Sequence, residues 1–307
     1  MNLIEITSLE QPGPGRFYRI PDTQLRRGSD GGSFIAESPN VVLRALEAGM
    51  KPLSILCEKS FADAAMHGGE DSPAGEIFRH IGDIPIYVGS PELLSSITGY
   101  SLLRGISCEF RRPAPRTAAE ICGITDSAPA GPNAHPGAAP SATPAAHTGA
   151  SAAAPTTSSA RRIAVIHGVV DAANIGAIFR SAAALGIGAV LLSQDCCDPL
   201  NRRTVRTSMG TVFQIPWASI DGPDTVAALH NLGYTTAAMA LRDGALPPDS
   251  PELQAQEHLA IILGNEGNGL PQPVIDSSDY VVCIPMSHGV DSLNVAIAGA
   301  IAFYVLR

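Results

Sequence analysis

The chain has 307 residues, 45% hydrophobic and 16% charged, with a formal net charge of -9 at pH 7. That length exceeds one ordinary compact domain and points to two, and the apolar content excludes a chain disordered throughout. The acidic balance argues against a protein that coats nucleic acid by bulk attraction, but it leaves room for a local basic patch that binds RNA.

The first thirty residues scatter Glu5, Glu10, Arg16 and Arg19 among Pro and Gly, without the basic start and apolar run of a secretory signal. The longest apolar stretch, residues 293–306, is 14 residues long and interrupted by Asn294. It falls short of the roughly 20 residues a bilayer span requires and reads as a buried helix. Six cysteines without a CxxC pair suggest neither a disulfide scaffold nor a zinc site. The expectation is a cytoplasmic protein with no membrane attachment and no metal.

Residues 34–49, FIAESPNVVLRALEAG, carry apolar side chains at three-and-four spacing and predict a helix. The strand-like PLSILCE follows, then a second alternation ending in IPIYVGS. Residues 1–112 thus read as a small α/β domain, with 11 basic against 14 acidic residues. Residues 128–160 contain no Asp, Glu, Lys or Arg, thirteen Ala and six Pro. Such a segment buries too little to offset its ordering entropy, so residues 113–160 read as a flexible Ala/Pro-rich linker.

Beyond the linker, residues 161–307 form the third unit. RIAVIHGV is a buried-strand run, ANIGAIFRSAAALG a helix ending at Gly186, and AVLLS the next strand, which makes a βαβ unit. TVAALHNLG then reads as helix, YTTAAMAL, HLAIILG and VVCIPM as strands, and SLNVAIAGAIAFYVLR as the closing helix. A parallel sheet covered by helices is expected.

Ligands of such sheets sit in the loops after the strands, and three loops stand out. The first carries Asp171, Asn174 and Gly176, with Arg180 on the following helix; the second is Gly-Asn-Glu-Gly-Asn-Gly, residues 264–269; the third holds His288, Asp291, Ser292 and Asn294. The glycine loop is neither GxGxxG nor GxxxxGK[ST], which disfavours a dinucleotide site and a P-loop. Local pattern alone also allows plain roles. Asn174, Asp291 and Ser292 could be helix caps, and Arg180 could be an exposed or ion-paired arginine. Arg202, Arg203 and Arg206 form the densest basic group of this half, either a solvated helix face or a contact to RNA phosphates. His288, Asp291 and Ser292 do not make a hydrolase triad, because they lie too close in sequence and lack a GxSxG elbow.

NIGAIFRSAAALGIGAVLLS, ILGNEGNGLP and IPMSHGVDSLNVAIAGAIAFY, in that order, resemble the three motifs of the SpoU (TrmH-type) RNA ribose methyltransferases of the SPOUT class. The resemblance implies an α/β fold with a deep trefoil knot that holds S-adenosylmethionine, and methylation of a ribose 2'-hydroxyl in RNA, ribosomal rather than transfer RNA. By position it makes Gly264, Ile284 and Leu293, with Met286 nearby, the cofactor site, and it makes Asn174, Arg180, Glu266, Ser292 and Asn294 the active-site residues. It also implies a homodimer and gives the first domain a similarity to RNA-binding substrate domains. The other readings are a transfer RNA ribose methyltransferase, a base methyltransferase of a sister branch, and a non-catalytic RNA-binding protein that keeps the knot.

Overall fold

The computed structural model describes residues 2–8, 11, 13–18, 20–27, 31–67, 72–98, 105–122, 160–220, 224–265, 267–290 and 292–307. The first half contributes β1 (Asn2–Glu5), α1 (Asp22–Arg26), β2 (Ser33–Glu37), α2 (Pro39–Glu47), β3 (Pro52–Glu58), α3 (Lys59–His67), α4 (Pro73–His80), β4 (Pro85–Gly89), α5 (Pro91–Thr98) and β5 (Ile106–Arg111). Its strands form a mixed sheet in the order β1-β4-β3-β5-β2, in which β5 runs antiparallel to both neighbours.

The helix predicted over residues 34–49 divides in two. Residues 33–37 are β2, buried at every position and paired antiparallel to β5, with Phe34 stacked on Phe110 at 5.5 Å. The helix starts only at Pro39, whose fixed φ and missing N–H suit a first helical position, after Ser38 has turned the chain at φ 80°.

A short helix α6 (Ala118–Cys122) precedes the second half. There follow β6 (Arg162–Ile166), α7 (Ala172–Ala184), β7 (Ala189–Leu192), α8 (Arg202–Thr207), β8 (Trp217–Ser219), α9 (Thr225–Asn231), β9 (Thr235–Met239), α10 (Pro251–Gln254), β10 (Leu259–Leu263), α11 (Gln272–Ser277), β11 (Tyr280–Val282) and α12 (Val295–Leu306). All strand pairs of this sheet are parallel, in the order β11-β9-β10-β6-β7-β8. Sheets covered on both faces need strands apolar at successive positions, and β7 and β10 are buried throughout. The α/β fold with a parallel sheet is as expected. The chain starts at the centre with β6, builds outward through β7 and β8, then crosses to lay β9 beyond β6 and inserts β10 between them. The strand order therefore reverses between β6 and β10, which makes the carboxyl ends of these two strands the switch point at which sheets of this kind bind their ligands.

The two halves are docked. Phe34 of the first sheet lies 5.5 Å from Phe213, and one apolar core runs from Ile55 and Phe110 to Val205 and Val212. Around it, Arg112 reaches Asp198 at 2.7 Å, and the Arg44 guanidinium donates to the Met209 carbonyl. The stretch assigned to the linker begins as ordered chain. In α6, Ile121 and Cys122 are buried against Ile163, Val165 and Leu191, and at the far end the Tyr234 hydroxyl donates to the Ala160 carbonyl at 2.6 Å. Residues 123–159, the bulk of that linker, lie outside the described residues.

Candidate active site

Asp171, not Asn174, caps α7: its side chain accepts from the Ala173 amide at 3.0 Å. Asn174 is thereby released from capping and sits inside the first turn. Likewise Asn294, not Asp291 or Ser292, caps α12, and its Oδ1 accepts from the amides of Ala296 and Ile297 at 3.0 and 3.4 Å. The other end of the same amide, Nδ2, donates to Asn174 Oδ1 at 3.0 Å. One side chain so ties the starts of two helices together, with both of its ends used. Ser292 lies exposed just before it, and Asp291 lies outside the described residues.

The glycine loop closes tightly on itself after β10. A Cβ at Gly264 would lie 2.6 Å from both the carbonyl carbon of Gly269 and the nitrogen of Leu270, and Asn265 pairs with Gly269 across the turn. Only glycine fits there. Asn265, which the sequence reading passed over, stitches this loop to the end of β6: its Nδ2 donates to the Gly168 carbonyl at 2.6 Å, while its Oδ1 accepts from the Gly267 amide at 2.7 Å. Its only sequence signal is an Asn within a glycine turn, where the side chain can accept from the backbone two residues on. Glu266 lies outside the described residues.

On the opposite side of Gly168, its amide donates to Ser193 Oγ at 2.9 Å, and that hydroxyl donates in turn to Asp195. The Ser193 hydrogen bond holds the Asp195 carboxyl below its ordinary range against the opposing effect of burial, with the neighbouring His167 adding to the depression. The ends of β6, β7 and β10 are thus held in one polar seam.

Ile284 and Met286 are half-buried in the segment after β11, and Leu293 is exposed immediately ahead of Asn294. Within that segment His288 and Gly289 take successive left-handed conformations, at φ 58° and 71°, and turn the chain sharply toward α12. Arg180 is exposed on α7. Six residues on a helix advance two-thirds of a turn beyond a whole turn, so Arg180 points away from the Asn174 face. Among the described residues no hydrogen bond links it to the Asn174–Asn294 pair.

Arg202 and Arg206, read from the sequence as candidate RNA contacts, take part in joining the two halves. Arg202 donates to the Phe17 carbonyl at 2.8 Å and lies 3.6 Å from Glu37, and Arg206 lies 3.7 Å from the same carboxylate. Arg203 is the member of the trio that faces solvent. Among the described residues no cluster of three metal-ligating side chains occurs, and no helix is long and apolar enough to cross a membrane.

A parallel sheet with a glycine turn after β10 and paired amides at the starts of α7 and α12, all following strands at the switch point, has the architecture of the α/β ligand-binding class. Residues 161–304 match the model of the SpoU rRNA methylase family. The chain is 32% identical over 275 residues to an uncharacterized tRNA/rRNA methyltransferase, Mb0905, of Mycobacterium bovis, an alignment covering 88% of this chain and 79% of that protein. It is 35% identical over 150 residues to the 23S rRNA (guanosine(2553)-2'-O)-methyltransferase RlmP of Bacillus subtilis, covering 49% of this chain and 59% of that one. Its fold is similar to the crystal structure of an AdoMet-bound rRNA methyltransferase from Sinorhizobium meliloti, with TM-score 0.74, 22% identity and coverage of 99% and 97% of the two chains. The chain belongs to the SpoU rRNA methylase family.

Proposed function

We propose that the protein transfers the methyl group of S-adenosylmethionine to a ribose 2'-hydroxyl of RNA, with ribosomal RNA as the substrate and the cytoplasm as its place of work. The carrying observation is the Asn174–Asn294 bridge, set beside the glycine loop at the switch point of the sheet. Family membership supports the reaction class, and the name of the Bacillus subtilis relative supports both the ribose position and the ribosomal substrate.

The residues fit the cofactor. Gly264 closes the turn against the main chain of Gly269 and Leu270, while nothing lies within 4 Å of the place a Cβ on Gly269 would take, so the loop's main chain is open to a ligand there. The backbone around Gly264, Ile284 and Leu293 would hold S-adenosylmethionine, with Met286 alongside, in the knotted arrangement that the family resemblance implies. When bound, the cofactor supplies an electrophilic methyl on a sulfonium, and a neutral thioether leaves.

The chain must align the 2'-oxygen with that methyl and stabilise the charge that develops as the hydroxyl proton is lost. Asn174 and Asn294, already locked to each other, give the ribose a fixed polar wall, with Ser292 at its edge. Arginine stays protonated in proteins, so Arg180 acts as a cation for the developing alkoxide or an adjacent phosphate. Because Arg180 points away from Asn174 in its own chain, it serves the cofactor held by the second subunit of a homodimer. The interface proposed for that dimer is the apolar face of α7 and α12, where Ile297 is 55% and Tyr304 59% exposed beside Ala177 and Ser181. Arg180→Ala is expected to lower turnover about a hundredfold or more, in line with loss of one preorganised donor, and to leave cofactor affinity unchanged. Undiminished methyl transfer would remove Arg180 from the chemical step.

A further inference from the structure

Helix α8 touches the N-terminal domain with one side and α7 with the other. On the first side, the Arg202 amide donates to Asp22 at 2.8 Å, so a carboxylate from the other domain, 180 residues away, caps the first turn of α8 together with the local Asn201. The Arg202 guanidinium donates to the Phe17 carbonyl and pairs with Glu37, which also holds Arg206. On the second side, the Thr204 hydroxyl donates to the Ala172 carbonyl at 3.1 Å. Gly176 lets α7 and α8 meet at backbone distance: a Cβ there would lie 1.9 Å from Thr207 Oγ1 and 2.8 Å from the Thr204 carbonyl oxygen. Asn174 sits between Ala172 and Gly176, the two points at which α8 grips α7.

We propose that α8 is a strut that couples docking of the N-terminal domain to the placement of Asn174, with Arg202 as the positioning residue. The contacts form an unbroken chain from Phe17, Asp22 and Glu37 through Arg202 and Thr204 to Ala172. A helix of six residues has little stability of its own. Its position is therefore set by what holds its two sides, and slack on the domain side passes to the first turn of α7. The N-terminal domain then has a second task besides meeting RNA, since its seat completes the geometry of the catalytic helix. The inference rests on the proposed methyl transfer for its consequence in turnover, but its mechanical part stands without it.

The test uses the full chain with Arg202→Ala, Arg202→Lys and Glu37→Gln. Two signals are read: hydrogen exchange of the amides of residues 174–176, with those of residues 228–232 in and after α9 as control, and kcat at saturating RNA and S-adenosylmethionine, with cofactor affinity measured separately. Expected for Arg202→Ala are exchange at residues 174–176 about tenfold faster, unchanged exchange in the control, kcat down about tenfold and cofactor affinity within twofold, with Lys restoring most of the loss. Unaltered exchange at residues 174–176 in the folded variant would overturn the proposal. So would a fall in kcat only in step with lost cofactor affinity and a loosened control. Should Arg202→Ala not fold, the near-isosteric Glu37→Gln is judged by the same two signals. If the unaltered protein transfers no methyl to RNA, the functional reading fails, and exchange alone decides the strut.

Discussion

The Nδ2 of Asn294 donates to the Oδ1 of Asn174, 120 residues earlier, at 3.0 Å, while the Oδ1 of Asn294 caps its own helix. The two functions separate by substitution. Asn294→Asp keeps an acceptor for the α12 amides and gains from the helix dipole, but a carboxylate cannot donate to Asn174. Thermal stability is expected to hold within a degree or two, while methyl transfer falls at least tenfold. Asn294→Ala is expected to lose the cap as well, about 1 kcal/mol, read as a lower urea midpoint.

Gly176→Ala forces α7 and α8 apart, because the added carbon meets the Thr204 carbonyl at 2.8 Å and the Ser208 nitrogen at 2.9 Å. Backbone on both sides leaves no cheap relief. Overpacking of this kind costs typically about 1–3 kcal/mol, which outweighs the gain in helix propensity of about 1 kcal/mol over glycine. Equilibrium urea unfolding checks the sign: the alanine variant is expected to unfold earlier.

Acid stability is expected to depend on Asp279. Burial alone would raise its carboxyl, but the Thr236 amide at 2.8 Å, the Thr236 hydroxyl at 2.7 Å and His230 at 2.9 Å together bring it below the ordinary range. A carboxyl lowered in the folded state adds stability in full above its unfolded value of about 4, and that stability is lost as pH falls through the folded value. Asp279→Asn is therefore expected to destabilise the protein at pH 7 and to flatten the loss of melting temperature between about pH 5 and 2. A parallel acid limb in both proteins would assign the limb to other carboxyls, Asp195 first among them.

Much of the second half was legible because its strands are buried on both faces. Continuous apolar runs such as LAIIL admit no other placement once helices flank them. The helix over residues 34–49 was misread at its start because Phe34, Ile35 and Ala36 satisfy a helical stripe and a fully buried strand equally well; pairing with residues 108–110, far along the chain, decided it. β1 and β8 lie at sheet edges and are mostly exposed or half-buried, so unlike the equally short but apolar β7 they leave no apolar run to read. At the site, Asn174 and Asn294 were found through the family resemblance, whereas their hydrogen bond and the clasp of Asn265 on Gly168 depend on chain crossings that no local pattern encodes. The docking role of Arg202 was hidden for the same reason, since its partners Phe17, Asp22 and Glu37 all lie in the other domain.

Methyl transfer to a ribose oxygen can be read directly. Purified protein is incubated with ribosomal RNA and S-adenosylmethionine carrying a labelled methyl, the RNA is digested to nucleosides, and each labelled product is fragmented in a mass spectrometer. The expected label stays with the sugar fragment of a 2'-O-methylated nucleoside. A label on the base, or no labelled nucleoside from a protein that binds the cofactor, would contradict ribose methylation.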